Sequence, residues 1–348
     1  MCADRHFSCQ SLAMTTNIQP GQQPQATNST SAPTATAVSD PASPAIPSAT
    51  SAAISSATST ATSGATSPPT STPTSLLQAM IKLEARGFTP IRHSFVQKHS
   101  TTVSGPDRKA VLADLVTARR GRELNAYLAL LMNHSQIEKN AAQPWPAAVW
   151  ARALSVSATD PLPVPAMSRI WARLEDHGLI DRSRVWKRTL VRPRDESTKR
   201  PYTRPRPDTV PEKEKAHESY FILPSAYWTE RWHTKLDLPA RALLLIMLHG
   251  TSSKDETYLP YEKAESWYGI SAKTTQRGID QLLKKKLLKV TRTERVVADF
   301  SATGHASRTY YALTGPFSRA ERAKLQTSSA SESAARAAAA RAAAGSAE

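Results

Sequence analysis

The sequence predicts a mainly α-helical fold with small β-hairpins, arranged as two similar units behind a disordered N-terminal segment. Three observations predict it. Apolar residues recur at helical spacing in several segments after residue 76. Two of those segments run directly into strand-like pairs. Residues 15–75 are dominated by Ser, Thr, Ala and Pro and contain no aromatic residue, so they cannot bury enough surface to offset the entropy of ordering. The expected organisation is a disordered segment 1–75, a first unit 76–194, a basic Pro-rich linker 195–217, a second unit 218–316, and a C-terminal piece 317–348. Met14 is a second candidate start.

Residues 76–98 begin with a short amphipathic helix, ended by Gly87 and Pro90. Residues 107–138 hold two helical patterns broken at Arg119-Arg120-Gly121, the second carrying Leu124, Tyr127, Leu128, Leu131 and Met132. Val149 to Ser157 and Pro165 to Leu179 follow as two more helical segments around a Pro-rich loop. Val185-Trp186 and Leu190-Val191 then read as a hairpin.

Residues 182–206 contain ten basic and two acidic side chains. Beyond the hairpin they read as a flexible linker able to lie along phosphates. Phe221 to Pro224 suits a short strand, while Tyr227, Trp228, Trp232 and Leu236 suit a core that seats a helix starting near Pro239. After Pro316 a short basic helix, Ser318 to Leu325, leads into an Ala/Arg tail expected to be only partly helical.

Residues 260–313 carry the most specific pattern. Gly269-Ile270-Ser271 joins two helices, with Gly269 permitting a sharp bend and Ser271 placed to cap the second helix. On that helix Thr275, Ile279, Leu282, Leu283 and Leu287 form an apolar stripe. The opposite face holds Lys273, Gln276, Arg277, Asp280 and Lys284. Leu287 to Arg292 and Arg308 to Leu313 read as an antiparallel hairpin.

The first unit repeats this plan. Trp171, Leu174, Gly178 and Leu179 align with Ile279, Leu282, Lys286 and Leu287, and Val149 to Ser157 aligns with Lys263 to Ser271. Asn125 to Met132 likewise aligns with Arg241 to Leu248. An internal duplication is expected.

The pattern Ser271-x-x-Thr274-Thr275-x-Arg277-x-Ile279-x-x-Leu282-x-x-x-Lys286-Leu287-Leu288 resembles the winged helix-turn-helix family, with Lys286 where that family commonly has glycine. The resemblance implies tandem winged helices, as in bacterial regulators and in plasmid replication initiators, the latter likeness being architectural. It implies major-groove reading by Lys273, Thr274, Gln276 and Arg277 behind the Ser271 cap, with Lys284 on the same face. Arg292, Arg295 and Arg308 of the hairpin would hold phosphates or probe the minor groove. In the first unit Arg169, Arg173, Lys187 and Arg188 offer an auxiliary contact of smaller reading capacity.

Charge agrees with a polyanionic partner, since the formal net charge is +16 at pH 7. Residues 1–75 carry only Arg5 against Asp4 and Asp40, so the basicity belongs to the remainder. Cys2 and Cys9 have no partners at ligand spacing, and neither metal nor cofactor is expected. The longest apolar run, Ala242 to Leu248, is too short for a membrane span, and the first 20 residues lack a signal-peptide core.

No His-hydrophobic-His pair and no phosphate-loop glycine pattern occurs, and His305 with Arg308, Tyr310 and Tyr311 reads as hairpin rather than recombinase chemistry. The expectation is a non-enzymatic, sequence-specific protein of the cytoplasm, nucleoid-associated, that binds double-stranded DNA as a transcriptional regulator. A replication initiator binding origin repeats is the alternative. A second is winged helices used as protein-interaction modules, with a homodimer or protein partner through the first unit left open.

Overall fold

The computed structural model describes residues 73–84, 86–98, 108–157, 161–297 and 304–345. Of the segment 1–75 expected to be disordered, residues 1–72, with both cysteines, lie outside these, while residues 73–75 form the start of the first helix. In chain order the elements are α1 (Pro73–Leu83), β1 (Phe88–Arg92), α2 (Val111–Thr117), α3 (Gly121–Met132), α4 (His134–Lys139), α5 (Ala147–Ala153), α6 (Val164–Asp176), β2 (Ile180–Val185) and β3 (Arg188–Pro193). There follow α7 (Glu212–Glu218), β4 (Tyr220–Pro224), α8 (Ala226–Thr229), α9 (Trp232–Lys235), α10 (Leu238–Gly250), β5 (Thr257–Tyr258), α11 (Tyr261–Tyr268), α12 (Ala272–Lys284), β6 (Leu288–Val297), β7 (His305–Leu313) and α13 (Arg319–Gly345).

Helix accounts for 54% and strand for 18%, so the fold is mixed α/β rather than mainly α. The sequence reading leaves out two strands, β5 and β1, the latter because Pro90 reads as a breaker. β1 pairs antiparallel with β4 alone. In such a ribbon each strand has an open edge, and a proline is tolerated there. The register sets Phe88 opposite Pro224, Pro90 opposite Ile222 and Arg92 opposite Tyr220. It is therefore symmetric about its centre, and the two halves of the chain begin from strands related by a local two-fold.

The duplicated plan is visible in the elements. α6 and α12 each span 13 residues, each follows a short helix (α5, α11), and each leads into a hairpin, β2–β3 or β6–β7. β5 adds a third strand beside β7.

The ends of the two 13-residue helices also match. Leu179 N donates to Leu174 O and Gly178 N to Glu175 O, while Leu287 N donates to Leu282 O and Lys286 N to Leu283 O. Both are Schellman closures, which place one residue in the left-handed region. That residue is Gly178 at φ 65 in the first copy and Lys286 at φ 56 in the second. The lysine thus adopts the glycine conformation that its alignment implied.

The two halves are not separate domains on a flexible linker. The described residues form one compact unit, and a single apolar cluster runs from Leu77 to Phe317. α10 is its centre: Ala242 through Leu248 are all buried, as expected of a helix apolar on every side. Tyr227, Trp228 and Leu236 are core residues as well. Residues ahead of α2 cross to the other half, where Gln97 Nε2 donates to Trp267 O at 3.1 Å and Arg108 N to Ser266 O at 3.2 Å.

Of residues 195–217, expected to be a flexible basic linker, 195–203 are folded against β1, whereas α7 buries none of its residues. Asp195 accepts from Ser197 N and Thr198 N at 2.9 and 2.8 Å, which closes a turn, and Tyr202 is buried. The anchor is Arg92, fully buried, whose guanidinium lies 3.3 Å from Asp195, 3.9 Å from Glu196 and 3.0 Å from Glu218. It also donates to Thr203 O at 2.8 Å.

The C-terminal tail differs too, because α13 is one helix of 27 residues. Its first turns are fixed by Arg322, which is buried and donates to Thr251 O at 2.8 Å and to Phe317 O at 3.0 Å. A cation there also suits the negative C-terminal end of α10.

Candidate nucleic-acid interface

α12 is seated on the core by Thr275, Gly278, Ile279 and Leu282, all buried, and its packing on α10 is close at Gly278. A Cβ at that position would lie 2.7 Å from Leu243 Cγ and 2.8 Å from Pro239 O. At the start of the helix Ser271 is the cap, its hydroxyl accepting from Thr274 N at 3.4 Å. Ahead of it Gly269 adopts φ 67, and a Cβ there would lie 2.7 Å from Ala113 Cβ. α2 therefore packs directly on the turn.

These anchors aim one face of α12 outward. Lys273, Gln276, Arg277 and Lys284 are exposed on it, and Gln276 Nε2 donates to Asp280 Oδ1 at 2.9 Å. Thr274 is half-buried and its hydroxyl lies 3.0 Å from that of Ser271, which limits it as a reader. Arg277 approaches Asp237 at 3.7 Å with both side chains well exposed, a contact weak enough to be exchanged for a ligand anion.

Arg277, Thr274 and Ser271 border an open cleft of about 1280 Å³ whose other wall is α6, through Ala166, Arg169 and Ile170. Both second helices of the duplicated plan thus face one cavity. Its lining holds seven cations, Lys109, Arg119, Arg122, Arg169, Arg173, Arg241 and Arg277, against the carboxylates Glu123, Asp237 and Glu265. Two of the cations are committed within the fold: Arg173 pairs with buried Glu123 at 2.8 Å, and Arg241 donates to Gly121 O at 2.9 Å. Arg119 stands at φ 55, uncommon for a residue with a side chain, and directs the α2–α3 corner into the cleft wall. Charged walls of this kind suit a polyanion better than an apolar small molecule.

The hairpins correct part of the expectation. Arg292 is engaged inside its own sheet: Nε donates to Glu256 Oε1 at 2.6 Å, Glu294 pairs with the same guanidinium, and the group lies 3.7 Å from the Tyr310 ring centre. Its charge is already compensated, so it is a poor phosphate contact. Arg295 and Arg308 are exposed, Arg308 lying 5.6 Å from the Tyr258 ring centre. On the first hairpin Lys187 is exposed, and Arg188 donates to Pro144 O at 3.2 Å.

The cations that sequence reasoning passed over are Lys109, Arg119, Arg122 and Arg241. Arg119-Arg120-Gly121-Arg122 was legible only as a break between helices, and its concentration of charge was the available signal. Trp186, 90% exposed at the tip of the first hairpin, was legible only as strand. Among the described residues no helix is long and apolar enough to cross a membrane. Comparison with family models, with curated proteins and with solved structures finds no match to this chain.

Proposed function

We propose that the chain is a sequence-specific double-stranded DNA-binding protein built of two tandem winged helices, acting as a transcriptional regulator. The observation that carries this reading is the shared cleft: α6 and α12, the second helices of the two duplicated units, border one cavity lined by seven cations. In this reading Lys273, Gln276 and Arg277 read bases from α12, with Arg169 contributing from α6. Arg119 and Arg122 hold the backbone that passes between the two helices, and Arg295, Arg308 and Lys187 extend the phosphate contacts. Arg292 is left out of the set because Glu256 and Glu294 already satisfy it.

The test is selection of bound sequences from a random duplex library with the full chain, repeated at low and near-physiological salt. A reproducible motif that survives the higher salt supports specific reading. Arg277→Ala then costs about 1–3 kcal/mol and relaxes the motif at one position, whereas Arg119→Ala weakens all sequences alike and lowers the salt slope by about 1. Binding of no duplex at low salt overturns the proposal. An inverted repeat over a promoter marks a regulator, and direct repeats mark a replication initiator.

A further inference from the structure

The tip of the first hairpin carries a residue that the DNA reading above leaves unused. β2 and β3 are joined by two residues, Trp186 and Lys187, with Val185 and Arg188 forming the last pair. Two-residue hairpin loops ask for positive φ at the first position, and glycine, asparagine or aspartate normally supplies it. Here Trp186 does so at φ 56, with 90% of its surface exposed. A bulky side chain in the left-handed region is an outlier. The turn needs the positive φ but not the indole, which is 90% exposed and so adds almost nothing to the core.

The surroundings say what it would meet. Lower on the hairpin the cations are paired, Arg182 with Glu175 and Arg192 with Glu138. At the tip Arg184 and Lys187 present exposed charges that pair with no carboxylate among the described residues, and Arg184 Nε donates to the Trp186 carbonyl at 3.3 Å. The Arg188 bond to Pro144 O holds the hairpin in one direction. Six-residue strands make the hairpin roughly 17 Å long, long enough to reach across a groove of a bound duplex.

We propose that Trp186 is a wedge that stacks into one base step of the bound duplex and partly unstacks it, while Arg184 and Lys187 hold the flanking phosphates. An aromatic ring flanked by two exposed cations fits a partner made of stacked bases between phosphates better than it fits a protein surface. The inference rests on the DNA-binding reading.

The experiment uses the full chain and a synthetic duplex of alternating A·T steps, whose pyrimidine–purine steps unstack most easily. Affinity is followed by fluorescence anisotropy across a salt series, and thymine unstacking by permanganate reactivity. Wild type raises thymine reactivity above that of the free duplex. Trp186→Ala returns it to the free level and lowers affinity about tenfold, as expected for one lost stacking contact, with the salt slope unchanged. Trp186→Phe keeps much of the unstacking, and Lys187→Ala lowers the slope instead. An alanine variant that binds and unstacks as wild type does overturns the wedge but leaves the DNA reading standing, and would assign the indole to a protein partner. Wild type that binds the duplex without unstacking it also overturns the wedge. If wild type binds no duplex at low salt, both readings fall.

Discussion

Replacing Glu196 by glutamine tests the way the segment after the first hairpin is held. Glu196 is fully buried, with the Arg92 guanidinium 3.9 Å away and the Tyr127 hydroxyl beside it. Burial therefore outweighs the pull of Arg92 and pushes its pKa from 4.5 up to about 7. Asp195 beside it goes the other way. Burial opposes its charge, but the Thr198 and Ser197 amides and the Arg92 guanidinium bring it down to about 2.

A carboxyl whose folded pKa is raised favours the fold while protonated. The contribution of Glu196 is thus complete below about 4.5 and is lost as pH rises to about 7. At about 1.4 kcal/mol per pKa unit this interval is worth ~3 kcal/mol. Glutamine imitates the protonated acid, and Arg92 keeps Asp195 and Glu218 as partners. Glu196→Gln is therefore expected to be more stable than wild type at about pH 8, by up to ~3 kcal/mol, with the gap closing near pH 5.

Urea unfolding followed by tryptophan fluorescence measures both points. His233 and His249, held by burial near about 4 and about 3, lose stability as pH falls below 6.5, but this is common to both chains and cancels in the difference. A variant less stable than wild type at pH 8 by about 3–5 kcal/mol, the cost of breaking a buried pair, with no change toward pH 5, would refute the reasoning.

Two further substitutions probe the helix that faces the cleft. Gly278→Ala places a Cβ 2.8 Å from the backbone oxygen of Pro239, which no rotamer can relieve. Overpacking of about 1–3 kcal/mol against a helix-propensity gain near 1 predicts a net loss of about 1 kcal/mol and a lower thermal midpoint. An unchanged or raised midpoint would show that α10 and α12 can separate freely. Lys286→Gly relieves a left-handed residue at φ 56, worth about 1–2 kcal/mol, but gives the unfolded chain the extra freedom of glycine, about 0.5–1. A small gain in urea stability, about 0.5 kcal/mol, is expected for it and a loss of about 1 for Gly178→Ala. The two changes having the same sign would break the equivalence of the helix ends.

Local patterns were legible and distant partnerships were not. Thr275, Ile279 and Leu282 announced the buried stripe of α12, and Gly269 and Ser271 its turn and cap, because each signal lies within a few residues. Leu288, Tyr311 and Leu313 did the same for the second hairpin. The segment after Pro193 was misread because its arginines and prolines describe a flexible chain, whereas its order comes from Asp195 and Glu196 meeting Arg92 more than a hundred residues earlier. α13 was underestimated for a similar reason: an isolated Ala/Arg helix is marginal, and the bonds of Arg322 to Thr251 and Phe317 start it. In the candidate site the outward face of α12 was readable from periodicity. Which arginines are already spent was not, since Glu256 lies far from Arg292 in sequence and adjacent to it in space.

The shared core has a consequence for any DNA site. Were the units tethered by a flexible linker, a pair of half-sites could be moved apart at small cost. Here α2 packs on the α11–α12 turn, β1 pairs with β4, and residues 195–203 are pinned at Arg92, so the separation of α6 and α12 is set by packing. Inserting about five base pairs, half a helical turn, between the two halves of a selected site moves one half to the opposite face of the duplex. Affinity is then expected to drop to that of one half-site alone, and an insertion of about ten pairs should not restore it, because a rigid body cannot reach the displaced half. Electrophoretic mobility shifts with the three duplexes measure this. Equal affinity for all three would mean that only one of the two helices reads DNA, and that the other wall of the cleft serves a different purpose.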